Sequence, residues 1–151
     1  MDLGRDKVLY VATALVGEDQ DLERRVRLHR VRRPAGWGTL EVGGGELGLV
    51  LKAAQRWEAV LVDSLTLWVS MRMLDHEDEE RTLETFDRFL EGVGALAMPF
   101  ILVSDEVGLG VVPESEAGRR FRDVLGLLNQ RAAAVAQEVH LCVAGIGVRV
   151  K

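Results

Sequence analysis

Cysteine is nearly missing from this chain. Cys142 stands alone, so no internal disulfide can form, which fits a reducing cytoplasm. Long apolar runs are missing too, and none approaches the ~18 residues needed to cross a bilayer. The opening Met1-Asp2-Leu3-Gly4-Arg5-Asp6-Lys7 has no apolar core and does not read as a secretory signal. There is no basic excess: 19 Lys and Arg stand against 24 Asp and Glu, a net charge of −5. Such a chain is not a general polyanion binder, so nucleic acid is not expected as a partner and any anion site must be a local basic cluster. What is present is ordinary for a globular protein. The 151 residues are 48% apolar and 28% charged, which reads as one domain over 1–151 and excludes a disordered or fibrous chain.

Short apolar runs alternate with helical patterns. Val8–Ala12, Ala59–Val62, Phe100–Val103 and Val139–Val143 are apolar at consecutive positions, as in parallel strands buried on both faces. Val148-Arg149-Val150, after the turn Gly145-Ile146-Gly147, reads as a short last strand. Between the runs, helical spacing recurs at Leu47, Val50, Leu51 and Ala54, at Leu83, Phe86, Leu90 and Val93, and at Phe121, Val124, Leu125, Leu128 and Val135. Ser115 is placed to cap the last and longest of these helices. The alternation predicts an α/β domain, in which ligands gather at the carboxyl ends of the strands.

Polar or small residues follow each run at those ends: Thr13-Ala14, Asp63-Ser64, Ser104-Asp105-Glu106 and Ala144-Gly145. Asp63 has two readings. It is the acid that holds Mg²⁺ in a nucleotide site, or it caps the helix beginning near Leu65. A second feature is the segment Arg24 to Arg33, six arginines around His29 in a net acidic chain. It reads either as a solvated basic face or as a polyphosphate site, since guanidinium groups bind phosphate oxygens bidentately. On a helix Arg25, His29 and Arg32 share a face, and Pro34 ends the segment. Arginine neighbours disfavour protonation of His29, and the neutral imidazole is the form that acts as a nucleophile. Gly43-Gly44-Gly45 lacks the Lys-Ser/Thr of a phosphate loop and reads as a flexible connection, and the three tryptophans read as packing groups.

Several blocks, in order, resemble the bifunctional adenosylcobinamide kinase / adenosylcobinamide-phosphate guanylyltransferases of cobalamin biosynthesis. They are Val8-Leu9-Tyr10-Val11-Ala12-Thr13; Arg25-Val26-Arg27-Leu28-His29-Arg30 with Arg33-Pro34, Trp37, Thr39 and Glu41; Leu61-Val62-Asp63-Ser64-Leu65-Thr66-Leu67-Trp68; Ser104 to Pro113; Phe121-Arg122-Asp123, Gly126 and Asn129-Gln130; and Gly145-Ile146-Gly147. The resemblance implies a P-loop NTPase-like, three-layer α/β domain with a mostly parallel sheet. It implies a cytoplasmic enzyme, expected to be a homo-oligomer, that phosphorylates adenosylcobinamide and passes GMP from GTP to adenosylcobinamide phosphate through a guanylyl-histidine. His29 matches the catalytic histidine. Thr13, Ala14, Arg33, Glu41 and Asp63 match nucleotide contacts, with Asp63 at the metal, and the implied cofactors are GTP (or ATP) and Mg²⁺. Met71 and Asp105 stand where that family usually has asparagines. The family opens with a strand, a Gly-Lys-Ser phosphate loop and a helix. This sequence starts after them, so it is expected to be truncated, with the first strand and phosphate loop absent and an open slot beside the Asp63 strand. The alternative is a non-catalytic or partner-dependent relative that has lost triphosphate binding.

Overall fold

The computed structural model of the chain describes residues 7–14, 20–31, 33–45 and 47–151. In chain order the elements are β1 (Val8–Ala12), α1 (Gln20–Val31), β2 (Gly38–Glu41), α2 (Gly48–Ala54), β3 (Ala59–Asp63), α3 (Leu65–Leu74), α4 (Glu79–Gly94), β4 (Phe100–Val103), α5 (Glu116–Val135), β5 (His140–Val143) and β6 (Ile146–Arg149). The first four strands form one parallel sheet in the order β2-β1-β3-β4. Parallel strands need crossovers long enough to return the chain, and the helical segments between them supply these. The architecture is α/β, consistent with the P-loop NTPase-like fold.

Register decides what each sheet face does. Leu9 aligns with Val60, Val11 with Val62, and those two with Phe100 and Leu102. Aligned residues of parallel neighbours point to the same side, so these six form one apolar face. Upon it pack Val50 and Ala54 of α2, Leu65, Trp68 and Val69 of α3, Phe86, Phe89 and Leu90 of α4, and Val124, Leu125 and Leu128 of α5. The opposite face carries Tyr10, Thr39, Leu61 and Ile101 in one row, then Ala12, Glu41, Asp63 and Val103 in the next.

Helix starts follow local chemistry. Ser115 caps α5 as expected, its Oγ accepting from the Gly118 N–H at 3.1 Å. Ser64 caps α3 through the Leu67 N–H. Glu79 and Glu80 lie in the first turn of α4, where the helix dipole favours negative charge.

Three expectations change. Gly43-Gly44-Gly45 is a pinned turn: Trp68 Nε1 donates to the Gly45 carbonyl at 3.1 Å and Arg72 Nη1 to that of Gly44 at 3.2 Å. A Cβ on Gly44 would lie 2.6 Å from the Met71 Cβ, so glycine there permits close approach to α3. Secondly, the run Val139–Val143 is not a buried parallel strand. β5 pairs antiparallel with β6, and the hairpin is exposed throughout. Among the described residues no strand links it to the four-stranded sheet, so its apolar side chains have no second layer to enter. Thirdly, β3 has no open slot beside it, because β1 and β4 pair with it on both sides. The outer edges of this sheet, among the described strands, are those of β2 and β4.

The short strand β2, which no apolar run announces, completes the other edge. Gly38 begins it because the Trp57 ring passes directly over that position; a Cβ there would fall 2.1 Å from the ring.

Candidate functional site

The carboxyl ends of β1, β2 and β3 lie side by side, with Ala12 aligned to both Glu41 and Asp63. Asp63 does not cap α3, since Ser64 does; its carboxylate Oδ2 accepts instead from the Tyr10 hydroxyl. Tyr10 lies 53 residues earlier in the chain, one step back along the same sheet face. The Arg33 guanidinium stacks over the Tyr10 ring, 3.5 Å from its centroid, in a cation–π contact. Arg33 Nη1 donates to Thr39 Oγ1 at 2.7 Å, while its Nε finds no acceptor among the described residues. Glu41 is held by Arg30 of α1 in an exposed ion pair, a type of pair worth at most about 1 kcal/mol.

Thr13 is fully buried and acts as a brace. Its Oγ1 donates to the Ser64 carbonyl at 2.7 Å and accepts from the Ser64 N–H at 2.8 Å, and its own N–H meets the Asp63 carbonyl at 3.2 Å. Both capacities of the hydroxyl are spent on the turn that presents Asp63. Ala14 follows it, half-buried, at the end of the described stretch.

Four of the six arginines, Arg24, Arg25, Arg27 and Arg30, fall in α1, which joins β1 to β2 and so ends beside this site. His29 lies in its last turn; the side chains of His29 and Arg25, and the whole of Arg32, are outside the described residues. Arg33, just past the helix, comes back over the sheet to Tyr10.

A second cluster sits after β4. The Asp105 N–H donates to Thr66 Oγ1 at 2.9 Å, and its carbonyl accepts from Asn129 Nδ2 at 3.1 Å. These bonds tie the loop beginning at Ser104 to α3 and α5.

Burial, first, and then the Asp63 carboxylate push the Tyr10 phenol from 10.0 up to about 12, with Arg33 opposing. Tyr10 is the one tyrosine of the chain, so an absorbance titration reads it directly. The expected midpoint lies near 12. Since the folded value exceeds the unfolded one, the stabilising contribution is complete below about pH 10 and is lost as pH rises toward 12. A midpoint at 10 would show that the phenol is not held by Asp63.

For a divalent cation, no group of three or more His, Cys, Asp or Glu gathers among the described residues. Mg²⁺ does not require one, since it commonly takes one or two carboxylates, substrate phosphates and waters. Asp63, half-exposed with one oxygen tethered, fits that demand.

Tyr10 is the member of the site that the apolar-run reading passed over. A hydroxylated aromatic inside Val8–Ala12, one alternation before the strand end, was its signal.

Comparison with known proteins bears on this arrangement. The family model described as cobinamide kinase / cobinamide phosphate guanyltransferase matches residues 2–150. The bifunctional adenosylcobalamin biosynthesis protein CobP of Pseudomonas aeruginosa is 40% identical over 144 residues, covering 95% of this chain and 82% of that protein. The bifunctional adenosylcobalamin biosynthesis proteins CobU of Salmonella typhimurium and Escherichia coli are 32% and 34% identical over 157 aligned positions, covering 96% of this chain and 86% of each. With that match running almost end to end over a parallel sheet whose strand ends gather Asp63, Arg33 and Glu41, the chain belongs to the cobinamide kinase / cobinamide phosphate guanyltransferase family.

Proposed function

We propose that the chain acts in assembling the nucleotide loop of cobalamin, phosphorylating adenosylcobinamide and transferring GMP from GTP to adenosylcobinamide phosphate through a guanylyl-histidine at His29. The observation that carries this reading is the meeting, at three adjacent strand ends, of a carboxylate (Asp63), an arginine seated over the sheet (Arg33) and the last turn of the helix that bears His29, whose Arg30 pairs with Glu41. These are the parts that nucleotidyl transfer needs: a carboxylate for the metal ion, a cationic group for the phosphates and a nucleophile.

In the first half-reaction an imidazole nitrogen of His29 attacks the α-phosphorus of GTP. The N–P bond forms as the bond to the β-phosphate oxygen breaks, and pyrophosphate departs with its charge. In the second half a phosphate oxygen of adenosylcobinamide phosphate attacks the same phosphorus. The N–P bond breaks, the histidine is released, and adenosylcobinamide-GDP forms. Arg33 stabilises charge that builds on the phosphate oxygens, with Nε as an unspent donor. Asp63 would hold Mg²⁺, which would supply neutralisation of phosphate charge. Thr13 keeps Asp63 at its strand end, and Arg30 of α1 pairs with Glu41 of β2.

Intact-mass measurement after incubation with GTP and Mg²⁺ tests the reading. One added GMP per chain is expected, and an unchanged mass overturns the guanylyl-enzyme route.

A further inference from the structure

We propose that Tyr10 is a positioning residue of the metal–triphosphate site, its hydroxyl setting the Asp63 carboxylate and its ring seating Arg33. The inference rests on Asp63 holding the cation, as proposed above. Tyr10 occupies the middle of β1, in register with Thr39 on one side and Leu61 on the other, so its side chain rises from the same face as Asp63. From there the two ends of one residue do different things. The hydroxyl donates to Asp63 Oδ2. With that oxygen tethered, the carboxylate cannot rotate freely, and Oδ1 is the oxygen left for a cation or its water. The ring face carries Arg33 at 3.5 Å, and Thr39 on the neighbouring strand bonds the same guanidinium at 2.7 Å.

Stacking and one hydrogen bond orient the guanidinium plane without spending its full set of donors. The carboxylate and the guanidinium therefore share one support in the centre of a paired strand. A partner that orients a ligating carboxylate typically affects metal affinity 10–100-fold. A purely structural tyrosine would alter stability and leave the metal and nucleotide constants untouched.

The two functions separate by substitution. Tyr10→Phe keeps the ring under Arg33 and removes the hydroxyl. It is expected to weaken Mn²⁺ binding in the presence of GTP by roughly tenfold, measured by electron paramagnetic resonance, with the KM for GTP unchanged at saturating metal. Tyr10→Leu removes the ring as well, and is expected to raise the KM for GTP in addition. Asp63→Asn serves as the reference. Loss of Mn²⁺ binding in Asp63→Asn with wild-type affinity in Tyr10→Phe overturns the role of Tyr10 alone. Wild-type affinity in Asp63→Asn, or no Mn²⁺–GTP binding by the unaltered protein, overturns the reading of Asp63 and this proposal with it.

A second measurement leaves the fold intact. Because the chain has one tyrosine, growth on 3-fluorotyrosine places a single fluorine label at Tyr10. Mn²⁺–GTP is expected to broaden that resonance strongly, and Mg²⁺–GTP to shift it. A line unaffected by either complex overturns the proposal.

Discussion

Replacing His29 with alanine is expected to abolish the covalent GMP that the protein retains after incubation with GTP and Mg²⁺. The effect is expected to be large because, on the reading proposed above, His29 is the nucleophile and none of its neighbours in the sequence can replace it. The residues around it in the sequence are Arg25, Arg27, Leu28, Arg30 and Val31, and guanidinium groups stay protonated and do not attack phosphorus. Removing a nucleophile in such a setting costs about 10³–10⁶-fold in rate. Peptide mapping of the labelled protein checks the site, and acid should release the label while alkali spares it, as for a phosphorus–nitrogen bond. Label on another residue, or retained in His29→Ala, disposes of the assignment.

The second large effect concerns stability. Trp68→Ala is expected to cost about 3–5 kcal/mol, within the range for deleting a large buried aromatic. Trp68 is fully buried, its ring is 6.1 Å from that of Phe86, and its Nε1 holds the Gly45 carbonyl. Truncation opens a cavity among α3, α4 and the sheet, and releases the turn that follows β2. In a domain of this size each kcal/mol shifts Tm by about 2–4 °C, so a fall of roughly 6–20 °C is expected in a circular dichroism melt. A fall of less than about 3 °C would show that the α3 face is not central to the core.

The fold was legible in the sequence where burial is two-sided. Val8–Ala12 and Ala59–Val62 lie inside the sheet, so every position is apolar and the run is visible by composition alone. β2 was not legible, because an edge strand with residues alternately half-buried and exposed needs only four positions and no apolar run. Val139–Val143 misled for the converse reason. Its composition suits a buried strand, but burial depends on a neighbour, and its only strand partner among the described residues is β6. The site was legible in part. Asp63 was visible as an acid ending an apolar run, but that the cap of α3 is made by Ser64 and not by Asp63 is a fact of the tertiary structure.

By itself the sequence determined the α/β alternation, the family, and which residue types stand at the strand ends. These are local properties: apolar runs, helical spacing, and ordered blocks such as Asp63-Ser64 or Arg33-Pro34. Only the tertiary structure decided that Tyr10 meets Asp63, that Arg33 lies on Tyr10 rather than in solvent, and that Thr13 spends its hydroxyl on Ser64. Each of these contacts crosses from one strand or its flank to another. They depend on the order β2-β1-β3 and on a register in which a slip of one residue would turn Tyr10 into the core and Val11 toward the site. Register is set by how whole faces pack, here the helices α2 to α5 on Leu9, Val11, Val60 and Val62, and no single stretch of the chain encodes it.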